Sequence, residues 1–457
     1  METYDVAVVG GGPGGYAAAL RAVRLGASVA LIEKGPLGGT CLNVGCIPSK
    51  TLLRHAEVIE MIHQARQWGI ETGPLSFSLE RMLERKNRVI GKLRDGIAAV
   101  LKARKVAVFQ GEGVVRPDRT VTVRTGEGVR AIRAGSVILA TGSKPLIPSI
   151  EGIDRVRYHT TDTIFDMARI PKSMAIIGGG VIGVELACVY SSLNTDVTII
   201  EAADRILPAE DEEASRFLHR RLTMKKMKKV NLWTGATVLE MRQAGDGISL
   251  MVKDSSGGIG THRFDEVLLA AGRTPNLTGL SELRLEMNGR FVSVNSHMET
   301  SVDGIYAVGD LIGGWQLAHV ASAEGTVAAA NACGQRQKMD YRVVPRCIYT
   351  LPEIASVGIS EEEAKKRGLR FKTAKYPLSA NGKALAMDED GFVKVVIGEP
   401  YGEILGAVMV GPHVTEMISE ISAFMYLEGT VEELAGMIRP HPSLIEAVGD
   451  AANSLLA

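Results

Sequence analysis

A chain of 457 residues is too long for one hydrophobic core; at roughly 150 residues per domain it divides into about three. Fifty-two basic residues balance 52 acidic ones and aromatics make up 5%, so neither an electrostatic footprint for nucleic acid nor a stacking platform for single strands is present. Hydrophobic content of 46% with 23% charge excludes a disordered chain, and no run of about eighteen apolar residues offers a membrane span.

Residues 5–33, DVAVVGGGPGGYAAALRAVRLGASVALIE, read as a buried strand, a glycine turn, a helix and a second buried strand that ends on an acid. The segment before it has no basic stretch and too short an apolar run for a signal peptide, so none is expected. In the Gly10-x-Gly12-x-x-Gly15 turn, the first glycine permits the bend and the second lets a pyrophosphate approach the backbone. The third lets helix and strand pack closely, and Glu33 is placed to accept from a ribose hydroxyl. One such motif is weak evidence. Residues 173–201 repeat it at an offset of 168, with Gly178, Gly180, Gly183 and Glu201 in the matching places, and a pair of copies predicts two bound dinucleotides. Glu201 favours NAD over NADP by repelling a 2′-phosphate, whereas Arg205, four residues on, is the one feature that would admit NADP.

Between the copies, GGTCLNVGCIPSK (38–50) places Cys41 and Cys46 five residues apart. On a regular helix they would point about 140° apart, but Gly45 and Pro48 are expected to break that regularity. A strained, easily reduced disulfide, half of a zinc site and two unrelated thiols all remain open here. No second cysteine pair or nearby histidine completes a zinc site, and no metal is expected. Five cysteines are too few and too scattered for a secreted, disulfide-stapled chain, so a reducing, cytoplasmic setting is expected; Cys188, Cys333 and Cys347 read as inert.

Residues 51–104 read as helical, with an amphipathic stretch at 79–104. VILATGSKP (137–145) and VLLAAGRTP (267–275) echo each other and are expected to close the two nucleotide units. Lys225, Lys226, Lys228 and Lys229 read as a solvated helix face and its end. SVDGIYAVGD (301–310) is a strand emerging onto an Asp. From 340 onward the pattern changes to extended segments at 392–397 and 404–410 and helical ones at 413–428 and 431–438, as in a separate α+β domain. There His441 stands between Pro440 and Pro442, with Glu446 close by, an arrangement suited to a rigidly held base oriented by a carboxylate.

These segments together resemble the flavin-dependent pyridine nucleotide–disulfide oxidoreductases, in particular the branch that oxidises dihydrolipoyl groups. The resemblance runs through GGGPGG, GGTCLNVGCIPSK, GGGVIGVE, VILATGS, GIYAVGD, ANGKALAMDEDGFVK and HPSLIEA. It implies an α/β fold with two Rossmann-like dinucleotide-binding domains and a C-terminal α+β dimerisation domain. The expected division is 1–149 for FAD, 150–275 for NAD, 276–340 returning to the FAD domain, and 341–457 as the interface. FAD would meet the first fingerprint with Glu33, Thr40, Lys50, Gly113, Thr141, Gly142, Ser143, Asp310 and the Gln316, Leu317, Ala318, His319 turn. NAD would meet the second with Glu185, Glu201, Val238 and Gly272.

The resemblance makes Cys41–Cys46 the redox disulfide, Cys46 next to the flavin and Cys41 exchanging with substrate. Lys50 and Glu185 would sit beside the flavin's reactive nitrogen, and His441 with Glu446 would serve as base. It further implies a homodimer whose sites are completed in trans, and dihydrolipoyl groups on carrier domains of 2-oxo acid dehydrogenase or glycine cleavage systems as partners. Related disulfide reductases of the glutathione or mercuric type, or a flavin-binding assembly subunit with little turnover, are the rival expectations. No Cys follows Cys347, as a mercuric reductase would require, and Arg439 stands where the family often has a first histidine.

Overall fold

The computed structural model describes residues 1–126, 128–224 and 230–456, so the Lys225–Lys229 cluster lies outside the described residues. In the first unit, β1 (Glu2–Val9), α1 (Pro13–Arg24) and β2 (Val29–Glu33) form the expected βαβ turn. There follow α2 (Gly39–Val44), α3 (Cys46–Gln64), α4 (Leu79–Ala103), β3 (Ala107–Gln110), β4 (Glu112–Val115), β5 (Thr120–Thr125), β6 (Gly128–Leu139) and β7 (Ser143–Pro145). Val6–Val9 and Val29–Ile32 are buried on both faces, as parallel strands covered on both sides must be. Pro13 starts α1 where a missing N–H costs nothing, and the small residues Gly14, Gly15, Ala18, Ala19 and Ala22 form its buried face. The helical expectation for 51–104 holds for α3 and α4, but residues 70–78 between them form neither helix nor strand.

The second unit comprises β8 (His159–Thr160), β9 (Ser173–Ile177), α5 (Val181–Ser192), β10 (Asp196–Glu201), α6 (Glu212–Thr223), β11 (Val230–Thr234), β12 (Thr237–Ala244), β13 (Gly247–Lys253), β14 (Ile259–Phe264), β15 (Glu266–Leu269) and β16 (Arg273–Pro275). Then come β17 (Met287–Asn288), β18 (Phe291–Val292), β19 (Ile305–Ala307) and α7 (Ala318–Ala332). The sheets show how the repeat folds. The first runs β3-β2-β1-β6-β5-β4, with β19 also pairing β6, and the second runs β11-β10-β9-β15-β8. The two fingerprint strands occupy matching places: β1 lies between β2 and β6, β9 between β10 and β15, all parallel. The two echoed segments contribute interior strands, β6 and β15, to their sheets. Their tails, β7 and β16, pair antiparallel with each other, Thr274 opposite Lys144, and so tie the units together.

The remaining chain forms β20 (Arg346–Ile348), β21 (Glu353–Gly358), α8 (Glu361–Lys366), β22 (Phe371–Pro377), α9 (Gly382–Ala386), β23 (Phe392–Gly398), β24 (Ile404–Gly411), α10 (Val414–Tyr426), α11 (Val431–Gly436) and α12 (Glu446–Leu456). Its antiparallel sheet, β20-β21-β24-β23-β22, has a core of its own with α10 and α12. Ile348, Ile354, Phe392, Val408 and Val410 join the core under α3 and α5, so this part is packed onto the second unit. Among the described residues no helix is long and apolar enough to cross a membrane.

Candidate active site

The cysteine segment folds as two helices meeting at a corner. Gly45, with φ −139° and ψ −109°, separates α2 from α3. A Cβ there would stand 2.9 Å from the Thr40 carbonyl oxygen and 3.3 Å from Cys41 Cα, so only glycine lets the two turns approach this closely. Pro48, expected to break the helix as well, does not: it lies in the first turn of α3, where its missing N–H is tolerated. The corner removes the angular separation a continuous helix would impose. Both cysteines are free thiols here, and they share a hydrogen bond that divides their acidities. The Cys41 thiol, donating it and half-buried, is pushed up. The Cys46 thiol, accepting it and facing the Lys50 charge, is lowered to about 7 against its burial and the Glu185 carboxylate. The pair therefore gives up its first proton near neutral pH, and the charge that results sits on Cys46 while Cys41 keeps its proton.

Glu185 lies on α5, a helix buried almost all round, and its side chain is 4% exposed. A carboxylate in that position requires partners. Lys50 Nζ supplies two contacts at 2.9 and 2.8 Å, Ser49 Oγ donates at 3.0 Å, and the Tyr349 backbone N–H donates at 3.0 Å. Lys50 also sits over the Tyr349 ring, 4.5 Å from its centroid.

One cavity of about 1680 Å³ runs from the first fingerprint past the cysteines to the second. Twenty of the sequence-predicted cofactor positions line it; Gly15 and Gly183 do not. Those two serve packing, since a Cβ would come within 1.8 Å of Gly10 O and 2.0 Å of Gly178 O respectively. The middle glycines face open space. A Cβ on Gly12 would meet only Gly39 Cα at 3.7 Å, and one on Gly180 nothing within 4 Å, so both keep backbone free for a phosphate at a helix N-terminus. Each acid is held alike: Glu33 accepts from Gly11 and Gly35 N–H at 2.6 and 2.7 Å, Glu201 from Gly179 and Ala203 N–H at 2.6 and 2.7 Å. Each carboxylate oxygen keeps a lone pair for a ribose. Gln316, which lines the cavity, has in Nε2 a buried donor with no partner among the described residues, as expected of a group that a bound molecule would satisfy. The lining thus fits two dinucleotides. Arg205, the possible phosphate ligand, is committed elsewhere: it donates to Pro208 O and Glu210 O, both at 3.2 Å.

Several lining residues carried no local signal. Arg273 donates to Ser143 Oγ at 2.6 Å and to Asp162 at 3.3 Å, while Ser143 donates to Asp310 at 2.5 Å. Asn276 donates to Thr141 O, and Thr141 Oγ1 donates back to Asn276 O. These ties hold Thr141, Ser143 and Asp310 in place across the β7–β16 junction.

His441 and Glu446 are brought together but not to the cavity. His441 Nδ1 lies 2.8 Å from Glu446 Oε1, and the Ser443 N–H donates to Glu446 Oε2 at 2.7 Å. The Ser443 N–H, then the imidazole, keep that carboxyl below the usual range. The His441 side chain is 80% exposed, and neither residue lines the space around the cysteines of its own chain.

Two duplicated nucleotide folds facing a polarised dithiol define a redox protein that exchanges electrons between thiols and nucleotides. The chain belongs to the pyridine nucleotide–disulphide oxidoreductase family, which it matches over residues 4–325, with that family's dimerisation domain matched over 344–452. It is 43% identical to a dihydrolipoyl dehydrogenase of Bacillus subtilis, over 98% of this chain and 97% of that protein. It is 37% identical to one of Geobacillus stearothermophilus, over 100% and 97%. Among solved structures, LpdA from Mycobacterium tuberculosis superposes with a TM-score of 0.91 at 27% identity, each chain covered in full.

Proposed function

We propose that the chain is a dihydrolipoyl dehydrogenase, which oxidises a dihydrolipoyl dithiol to the cyclic disulfide and reduces NAD. The observation that carries this reading is the polarised Cys41–Cys46 pair beside the Lys50–Glu185 ion pair, in the cavity that joins the two fingerprints. Relatives named dihydrolipoyl dehydrogenase, at 37–43% identity over nearly the whole chain, support it. FAD would be held by the first fingerprint with Glu33, Asp310 and the Gln316–His319 turn, and NAD by the second with Glu201 and Val238. FAD, when bound, takes two electrons from a thiol pair and returns them to a nicotinamide as hydride.

The protein's own part is thiol exchange. One substrate sulfur, deprotonated by His441, attacks Cys41 Sγ; the Cys41–Cys46 bond breaks and Cys46 leaves as the thiolate. The second substrate sulfur then attacks the first, the Cys41–substrate bond breaks, and the product departs as a ring disulfide. Cys41 leaves with the electron pair of that bond and takes up a proton. Of the two protons from the dithiol, Cys41 keeps one and His441 the other. Lys50 stabilises negative charge built up beside Cys46.

Since His441 lies away from the cavity of its own chain, inside the segment matching the dimerisation domain, we take the working unit to be a homodimer in which each His441–Glu446 serves the partner's cysteines. Arg205's engagement with backbone carbonyls favours NAD over NADP. Carrier-bound dihydrolipoyl groups of 2-oxo acid dehydrogenase or glycine cleavage systems are the proposed substrates. The test is steady-state NAD reduction by the flavin-loaded protein with dihydrolipoamide, with glutathione as rival donor. Turnover with dihydrolipoamide alone is expected; turnover with glutathione alone, or with neither, overturns the reading.

A further inference from the structure

Arg439 is the most enclosed cation near the proposed base. Its side chain is 5% exposed. Nε and Nη2 reach Glu420 Oε1 on α10 at 3.0 and 2.5 Å, Nη2 donates to Leu434 O of α11 at 2.9 Å, and Nη1 donates to Met437 O at 3.1 Å. It also meets α12: a Cβ on Gly449 would lie 2.5 Å from Nη1 and 3.2 Å from Cζ, so any larger residue there would push the guanidinium out of its present place. One planar group thus joins three helices two residues before His441.

The other end of the His441 segment is fixed separately. Asn381 Nδ2 donates to Ser443 O at 2.9 Å, and Ser443 Oγ donates to Pro440 O at 2.6 Å. Between these anchors the imidazole stands in solvent, with Glu446 its side-chain partner among the described residues. An exposed base that must meet a sulfur on another subunit gets its position from the backbone beneath it. A misplacement of about 1 Å costs on the order of a hundredfold in rate.

We propose that Arg439, clamped by Glu420 and admitted by Gly449, is a positioning residue that sets where His441 meets the partner's disulfide. The proposal rests on the reading of His441 as the base. Arg439 touches neither substrate nor cysteine; it acts through the main chain of Pro440 and His441. An ordinary buried ion pair would contribute to stability and leave the chemistry alone, so the two roles separate in kinetics.

Two variants test this on the flavin-loaded dimer. Arg439→Met with Glu420→Met removes the clamp without leaving one buried charge unpaired. Gly449→Ala keeps both charges and pushes a methyl into the guanidinium. The measurements are dihydrolipoamide-dependent NAD reduction, oxidation of NADH by an artificial dye that draws electrons without using the dithiol, and dimer content by sedimentation. His441→Gln is the benchmark. We expect both variants to remain dimeric and to keep their dye turnover. Their kcat with dihydrolipoamide should fall at least about tenfold with KM within about twofold, the split expected when only the transition-state geometry is lost. If His441→Gln is inactive while both variants keep wild-type kcat, the positioning role is wrong. Dimers that dissociate, or dye and dithiol turnover that fall together, also overturn it, because Arg439 would then be only structural. Full activity in His441→Gln instead refutes the reading of the base on which the proposal rests.

Discussion

Replacing Lys50 with Met tests how the protein makes Cys46 a thiolate. Nζ lies 2.8 Å from Glu185 Oε2, an attraction of about 6 kcal/mol at an effective dielectric of about 20. The dehydration of Glu185 consumes much of that. Removing one partner of such a pair typically costs about 3–5 kcal/mol, so the variant should be markedly less stable yet still fold. The chemical effect is more specific. Cys46 is lowered to about 7 by the Cys41 hydrogen bond and the Lys50 charge, in opposition to Glu185. The thiolate is therefore present above about pH 7 and lost as the pH falls through that value. Without Lys50 the lowering charge disappears and the opposing carboxylate stays, so the midpoint must rise. A rise of one unit takes the thiolate at pH 7 from about a half to about a tenth of the molecules and slows a thiolate-dependent step about fivefold there, with recovery at higher pH. The assay is the pH dependence of ultraviolet thiolate absorbance in the reduced, flavin-free protein. Lys50→Arg, which keeps the charge, should stay close to wild type. An unchanged or lower midpoint in Lys50→Met would refute the electrostatic account of Cys46.

Other substitutions separate binding from packing. Gly180→Ala places a methyl in open space at the second fingerprint, so the melting temperature should hold while NAD affinity, measured by titration, falls at least about tenfold. Gly183→Ala drives a methyl to 2.0 Å from Gly178 O and should instead lower the melting temperature. Glu201→Ala should reduce the preference for NAD over NADP in steady-state kinetics; equal wild-type use of both would remove the role given to Glu201. Mixing Cys41→Ser subunits with His441→Gln subunits should restore turnover in heterodimers that carry one intact site; inactivity after verified exchange would place the base and the cysteines on the same chain.

Much of this was legible because it repeats. Two glycine turns, each followed by an acid at equal spacing, announce two βαβ units without help from any partner, and the structure places β1 and β9 accordingly. The cysteine pair was visible as a pair, yet its geometry depended on Gly45 opening a corner between two helices, which spacing alone leaves open. The irregular stretch 70–78 is not legible in the sequence because apolar periodicity on either side of it suggests a single helical region. What sequence could not supply were contacts between distant segments. The ties of Arg273 to Ser143 and of the Tyr349 N–H to Glu185 join residues more than a hundred positions apart, and neither leaves a local pattern. Arg439 stood out only as a departure; its clamp on Glu420 and the space left by Gly449 exist once α10, α11 and α12 have packed.

The central claim is that electrons from a dithiol reach NAD through Cys41 and Cys46. The most direct test is anaerobic mixing of the oxidised, flavin-loaded protein with dihydrolipoamide and NAD, following NADH formation in wild type and Cys46→Ser. The account predicts rapid NADH formation in wild type, preceded by a long-wavelength thiolate-to-flavin band, and neither signal in Cys46→Ser. NADH formed by Cys46→Ser at the wild-type rate, or none formed by wild type, would contradict it.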